Sequence, residues 1–165
     1  MRTIKGSLVV LLFYSLVVFV SPDFAQGNNS DFVLPPDPGK AGKETLLGID
    51  TDGDGVRDDI QRYIYFTYPD DKKLRLGLTY YAIEFQGVLK DANDREAAYD
   101  HANKMSRHGD CLWYLKGEEA IDICRALRAK ILNTRERSMA YITYSDNLLL
   151  EALHRKNGRT VVPLM

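Results

Sequence analysis

Between residues 58 and 157 the chain carries a single proline, Pro69, and its apolar residues return at intervals of three and four. That spacing lays one face of an α-helix against a core, whereas a half-buried strand alternates apolar and polar residues. Residues 58–68 carry Ile60, Ile64 and Tyr68, with Tyr63 alongside, and Tyr68-Pro69-Asp70 stops that helix. Leu74, Leu78, Tyr81, Phe85 and Val88 mark a second helix. Asn93 to about Leu115 predicts a third, with Ala98, Ala102, Met105 and Leu112 on one side, broken at Lys116-Gly117. Ala120, Cys124, Leu127 and Ile131 form the next stripe. Asn133-Thr134 is expected to cap a last helix bearing Met139, Ile142, Leu149 and Leu153 and ending near Asn157-Gly158. One long helix running through Asn133 is the alternative. No strand-like alternation persists, so the expected class is all-α with four to five helices.

The chain ahead of these helices is organised differently. Arg2 and Lys5 precede an uncharged run from Gly6 to Pro22 that is almost purely apolar from Leu8 to Val20. This is the pattern of an export signal, assigned to residues 1–25. Ala25 suits the last position before a cut and Asp23 does not, so an uncleaved N-terminal anchor is the alternative. Either reading puts the remainder outside the cytoplasm, in the periplasm or the extracellular space. Residues 26–43 read as a linker, with Leu34-Pro35-Pro36-Asp37-Pro38-Gly39 favouring an extended, stiff segment. Residues 44–157 then form the helical domain and 158–165 a tail. With 22 basic against 23 acidic residues the net charge is −1. Such a balance excludes a general nucleic-acid binder, and no membrane contact is expected beyond the N-terminal segment.

The sharpest chemical signal is the acidic stretch at residues 50–61, Asp-Thr-Asp-Gly-Asp-Gly-Val-Arg-Asp-Asp-Ile-Gln. Calcium takes six to eight oxygen ligands at about 2.3–2.6 Å, and a twelve-residue loop supplies them from positions 1, 3, 5, 7, 9 and 12. Asp50, Asp52 and Asp54 fill the first three of these. Val56 stands where a backbone carbonyl serves, Asp58 binds directly or through water, and Gln61 holds the last position. Gly55 falls where the chain must turn sharply with positive φ. Without an ion, five carboxylates lie within ten residues, offset locally by Arg57 alone. A solvated acidic turn is the competing reading, because Asp-Gly pairs favour turns and Asp58 to Gln61 resembles a helix capping box.

This stretch resembles the calcium loops of EF-hand-like proteins, and most closely those of thrombospondin type 3 repeats, which commonly read D-x-D-x-D-G-[VI]-x-D. Asp50, Asp52, Asp54, Gly55, Val56 and Asp58 match that pattern residue by residue. The resemblance covers 12 to 20 residues and implies a bound Ca²⁺. Two departures stand out. The copy is single and lacks internal Cys, and Gln61 replaces the usual terminal carboxylate. A neutral amide gives one oxygen and no charge, so the expected affinity is weak, about 10⁻⁵–10⁻³ M.

Cys111 and Cys124 lie at equal distances from the turn predicted at Gly117-Glu118. In an exported helical hairpin that placement predicts a disulfide worth about 3 kcal/mol. The rival is a thiol nucleophile or a metal pair with His108. His101 and His108 share a helical face but read more simply as solvated. Tyr63, Tyr65, Tyr68, Tyr80 and Tyr81 are expected in the core and its rim, or in a patch for a protein or glycan partner. Arg125, Arg128, Lys130, Arg135 and Arg137 read as a solvated helix surface.

The chain lacks the G-x-S-x-G and H-E-x-x-H patterns, and no Cys–His arrangement stands out. The sequence therefore points to an exported, non-enzymatic calcium-binding helical protein. In that reading the ion orders the lead-in to a domain that serves as a binding or structural module of the cell envelope or secretome. The alternative is an envelope inhibitor or adaptor with a vestigial, calcium-independent loop. A small secreted hydrolase using paired acids is the third class.

Overall fold

The computed structural model describes residues 33–158. The expected export segment 1–25, residues 26–32 of the expected linker and residues 159–165 of the expected tail lie outside the described residues. A short 3₁₀ turn at Ala41–Lys43 precedes five helices: α1 (Asp58–Thr67), α2 (Lys72–Lys90), α3 (Arg95–Lys116), α4 (Glu119–Ile131) and α5 (Arg135–Gly158). There is no strand among the described residues, in keeping with the all-α expectation. None of the described helices is long and apolar enough to cross a membrane.

Helix boundaries fall where local chemistry places them. Asp71 caps α2 by accepting from the Leu74 N–H at 2.9 Å, and Asp94 caps α3 by accepting from Ala97 at 3.0 Å. Gly117, at φ +57, ends α3. The Thr134 hydroxyl accepts from the Arg137 N–H at 3.2 Å, so α4 and α5 are separate helices and the single long helix is excluded.

α2 and α3 pack antiparallel, since Asp71 meets Lys116 at one end and Glu84 meets His101 toward the other. Two glycines permit their close approach. A methyl group on Gly77 would lie 2.9 Å from Leu112 Cδ2, and one on Gly87 would collide with the His101 ring. The core holds Ile60 and Ile64 of α1, Leu74, Leu78 and Phe85 of α2, Leu112 of α3, and Leu127 and Ile131 of α4. A smaller cluster of Val88, Ala92, Ala98 and Tyr144 joins α5, and stacked Phe85, Tyr141 and Tyr144 rings link α2 to it.

Two expectations are overturned here. In α5 the residues Met139, Ile142, Leu149 and Leu153 are about half exposed or more, and the helix buries Arg137 and Tyr144 instead. Both sets keep helical spacing, and the aromatic face fits the gap left by the small residues Ala92 and Ala98. The cysteines are free thiols, so no disulfide closes the α3–α4 hairpin. The turn lies where the spacing puts it, but helical phase does not bring the thiols together. Leu112 takes the inward position on α3 and leaves Cys111 exposed one residue earlier, while Cys124 packs half-buried against the core.

Candidate metal centre

The acidic loop is closed at its base by the backbone. The Asp58 N–H donates to the Ile49 carbonyl at 2.9 Å, so the residues flanking the loop meet as it turns into α1. Gly53 and Gly55 adopt φ +71 and +88, conformations that suit glycine, and Gly55 stands at the sharp turn the sequence anticipates. The Val56 side chain is fully buried in the main core cluster. It therefore anchors the loop to the helices, a role additional to offering a carbonyl.

The carboxylates, exposed at Asp50, Asp52 and Asp54 and buried at Asp58, collect N–H and O–H donors. Asp50 accepts from the Gly53 N–H at 2.8 Å and the Gly55 N–H at 3.0 Å through its two oxygens. Asp52 accepts from the Asp54 N–H at 3.3 Å and Asp54 from the Val56 N–H at 2.8 Å. Asp58 is buried and does not cap α1; its two oxygens accept from the Thr51 N–H at 2.8 Å and the Thr51 hydroxyl at 2.6 Å. The result is convergence: one oxygen each from Asp50, Asp52 and Asp58 lie within 4.8 Å of one another. Two oxygens on opposite sides of a calcium ion are separated by about 4.6–5.2 Å, so this trio fits around one divalent cation. The donors are all hard oxygens, without the nitrogen or sulfur that favours zinc or copper.

Asp54 lies outside that trio and is held by Gln61. The Gln61 amide nitrogen donates to Asp52 Oδ2 at 3.1 Å and to Asp54 Oδ2 at 2.8 Å. The Gln61 bond is the largest influence holding the Asp52 carboxyl below its ordinary range. Desolvation pushes the Asp54 carboxyl up, helped by the neighbouring charges of Asp52, Asp50 and Asp58.

Behind the loop sit two arginines whose role the sequence pattern concealed. Arg57 is fully buried, pairs with Asp59 at 2.8 and 3.0 Å, and donates to the Ile131 carbonyl at 3.1 Å. Arg137, expected on a solvated surface, is also fully buried. It donates to the carbonyls of Leu46 at 2.9 Å, Gly42 at 2.6 Å and Thr45 at 3.0 Å, and to Asn133 Oδ1. Desolvation, then the neighbouring Arg57 charge, lowers the pKa of Arg137. Gly48, at φ +69, passes between the two side chains, and a methyl group there would strike both. Residues 42–48 are thus fastened to the α4–α5 corner, and with them the start of the acidic loop. The second half of the expected linker joins this packing, since Pro35 is buried and its carbonyl accepts from Arg62 at 2.8 Å. Asp59 is occupied by Arg57 and Asn133.

The remaining candidates do not assemble a centre. His101 lies between Glu84 at 3.0 Å and Asp91 at 3.2 Å, joining α2 to α3. His108 stacks on Tyr80 instead, with ring centroids 5.9 Å apart. Burial raises the pKa of the Cys124 thiol, which disfavours the thiolate a nucleophile needs. Tyr81 is buried in the core, whereas Tyr63 lies under Lys130 and Tyr65 under Arg75.

No model of a known protein family matches the chain, and neither the characterised proteins nor the solved structures give a significant match to it.

Proposed function

We propose that this chain is an exported, non-enzymatic helical protein whose loop at residues 50–61 takes a calcium ion. The observation that carries the reading is the convergence of Asp50, Asp52 and Asp58 oxygens to within 4.8 Å. The resemblance to a single thrombospondin type 3 loop adds to it, with Asp54, the Val56 carbonyl and Gln61 completing the donor set. When bound, the ion supplies positive charge that turns mutual repulsion among the carboxylates into attraction. The chain's own residues do the rest. Val56 roots the loop in the core, and Arg57 and Arg137 bind its lead-in to α4 and α5. The domain behind it then serves as a binding or structural module of the cell envelope or secretome, with a protein or glycan as partner.

Melting the full chain in calcium and in chelator tests this. At free calcium ten times the dissociation constant, linkage contributes about 1.4 kcal/mol, a rise of roughly 5 °C. Identical melts of the native chain in chelator and in about 10 mM calcium, tenfold above the weak end of such sites, contradict it. One observation favours the second reading, an inhibitor or adaptor with a calcium-independent loop. The carboxylates of Asp50, Asp52, Asp54 and Asp58 already accept hydrogen bonds from the loop and from Gln61. Partner capture that survives chelator supports that alternative.

A further inference from the structure

We propose that Gln61 is the loop's resident substitute for the cation: its amide holds the metal-free loop closed, and rotation of that amide offers Oε1 to the ion. The proposal rests on the calcium reading for its second half only.

Gln61 is 6% exposed, in the first turn of α1, with its amide turned into the carboxylate cluster. The two donor hydrogens of Nε2 are spent on Asp52 Oδ2 and Asp54 Oδ2. Among the described residues no other donor bonds those two oxygens, whereas the remaining oxygens of Asp50, Asp52, Asp54 and Asp58 are served by the loop itself. The amide therefore closes the gap in the loop's own bonding. It does so at a cost, because Oε1 is buried without a partner.

That unsatisfied oxygen shows what the amide has in reserve. A half-turn about the last side-chain torsion exchanges Nε2 and Oε1 and leaves the rest of Gln61 in place. The rotated amide would face Asp52 and Asp54 oxygen to oxygen, an arrangement that becomes favourable when a cation sits between them. A glutamate at this position would bind an ion more strongly but would add a further negative charge to the empty loop. Glutamine gives up affinity and keeps the loop shut when calcium is scarce.

The test uses the full chain as native protein, Gln61→Glu and Gln61→Met, melted in chelator and in 10 mM calcium chloride (about an order of magnitude above the weak end of such sites). Calcium titrations and ¹⁵N spectra of the side-chain amides accompany the melts. The expected result is a crossing of order. Gln61→Glu melts below the native chain in chelator and above it in calcium, and it binds calcium about tenfold tighter or more. Gln61→Met melts below the native chain in chelator. The amide signal it lacks is slow to exchange in native protein and shifts on calcium saturation. If Gln61→Glu or Gln61→Met is as stable as the native chain in chelator, the amide holds nothing and the proposal falls. Should Gln61→Glu not fold in chelator, Gln61→Met and the native amide signal still decide. A native loop that never loads calcium removes the rotation and the calcium reading together, while the chelator ranking separately decides the holding role.

Discussion

Replacing Arg137 by Met should weaken the protein through a segment far away in sequence. The two side chains are similar in length, so the packing change is small and the lost hydrogen bonds dominate. Arg137 donates to three carbonyls of residues 42–46 and to Asn133, from a fully buried position. A hydrogen bond from a charged donor is worth about 1.5–3 kcal/mol net. Burying the guanidinium costs several kcal/mol, and Met avoids that cost. The carbonyls of Leu46 and Thr45 can turn to water, but the buried Gly42 carbonyl is left without its Arg137 donor. The balance is a loss of about 3 kcal/mol. For a domain of this size that lowers Tm by roughly 10–15 °C. Chemical denaturation measures the free energy, with exposed Arg135→Met as the control, expected within about 0.5 kcal/mol of native. Limited proteolysis supplies a second readout, with cleavage in residues 41–49 accelerated in Arg137→Met. If Arg137→Met matches its control in stability and leaves those residues protected, the clasp does not hold the loop's lead-in.

Thiol labelling of the folded chain should separate the two cysteines. Exposed Cys111 should react promptly with a maleimide, half-buried Cys124 slowly until denaturant is added, and non-reducing gels should show no internal bridge. Tyr144 should resist ionisation. Burial, with smaller contributions from Tyr141 and Tyr81, pushes its pKa up to about 12 from the ordinary tyrosine value of 10.0. The folded state therefore keeps a proton that the unfolded chain has lost. Stability from this group is intact below about pH 10 and falls away between about pH 10 and 12. Ultraviolet titration of the native chain against Tyr144→Phe should show one late-ionising phenol missing in the variant.

Much of the architecture is legible in the residues. Pro69, Gly117 and Thr134 punctuate the helices because each imposes a local backbone requirement that tertiary packing need not supply. The α2 stripe is equally plain, since Leu74, Leu78, Tyr81, Phe85 and Val88 are all buried. α5 is ambiguous in principle. It carries an aliphatic face and a second face of Arg137, Ala140, Tyr141, Tyr144 and Leu148, and hydropathy favours the wrong one. The cysteines show a related limit. Distance from a turn fixes height along a hairpin, but not rotation about each helix axis. The loop's acidic positions can be read from spacing alone. The two buried arginines behind it cannot, because most of their acceptors are backbone carbonyls remote in the chain, beside the nearby Asn133 amide and one neighbouring carboxylate. A charged residue on a helix reads as solvated until such partners are known. Gln61 signals itself only as a departure from the expected Glu, and its orientation emerges only in three dimensions.

The most direct test of the central claim is calorimetric titration of calcium into the metal-stripped full chain, with magnesium run in parallel. One saturable site is expected, with a dissociation constant of about 10⁻⁵–10⁻³ M, lost in Asp50→Ala and in Asp58→Ala. No heat of binding up to about 5 mM calcium, or binding unchanged in both variants, would contradict it and leave the loop a hydrogen-bonded acidic turn.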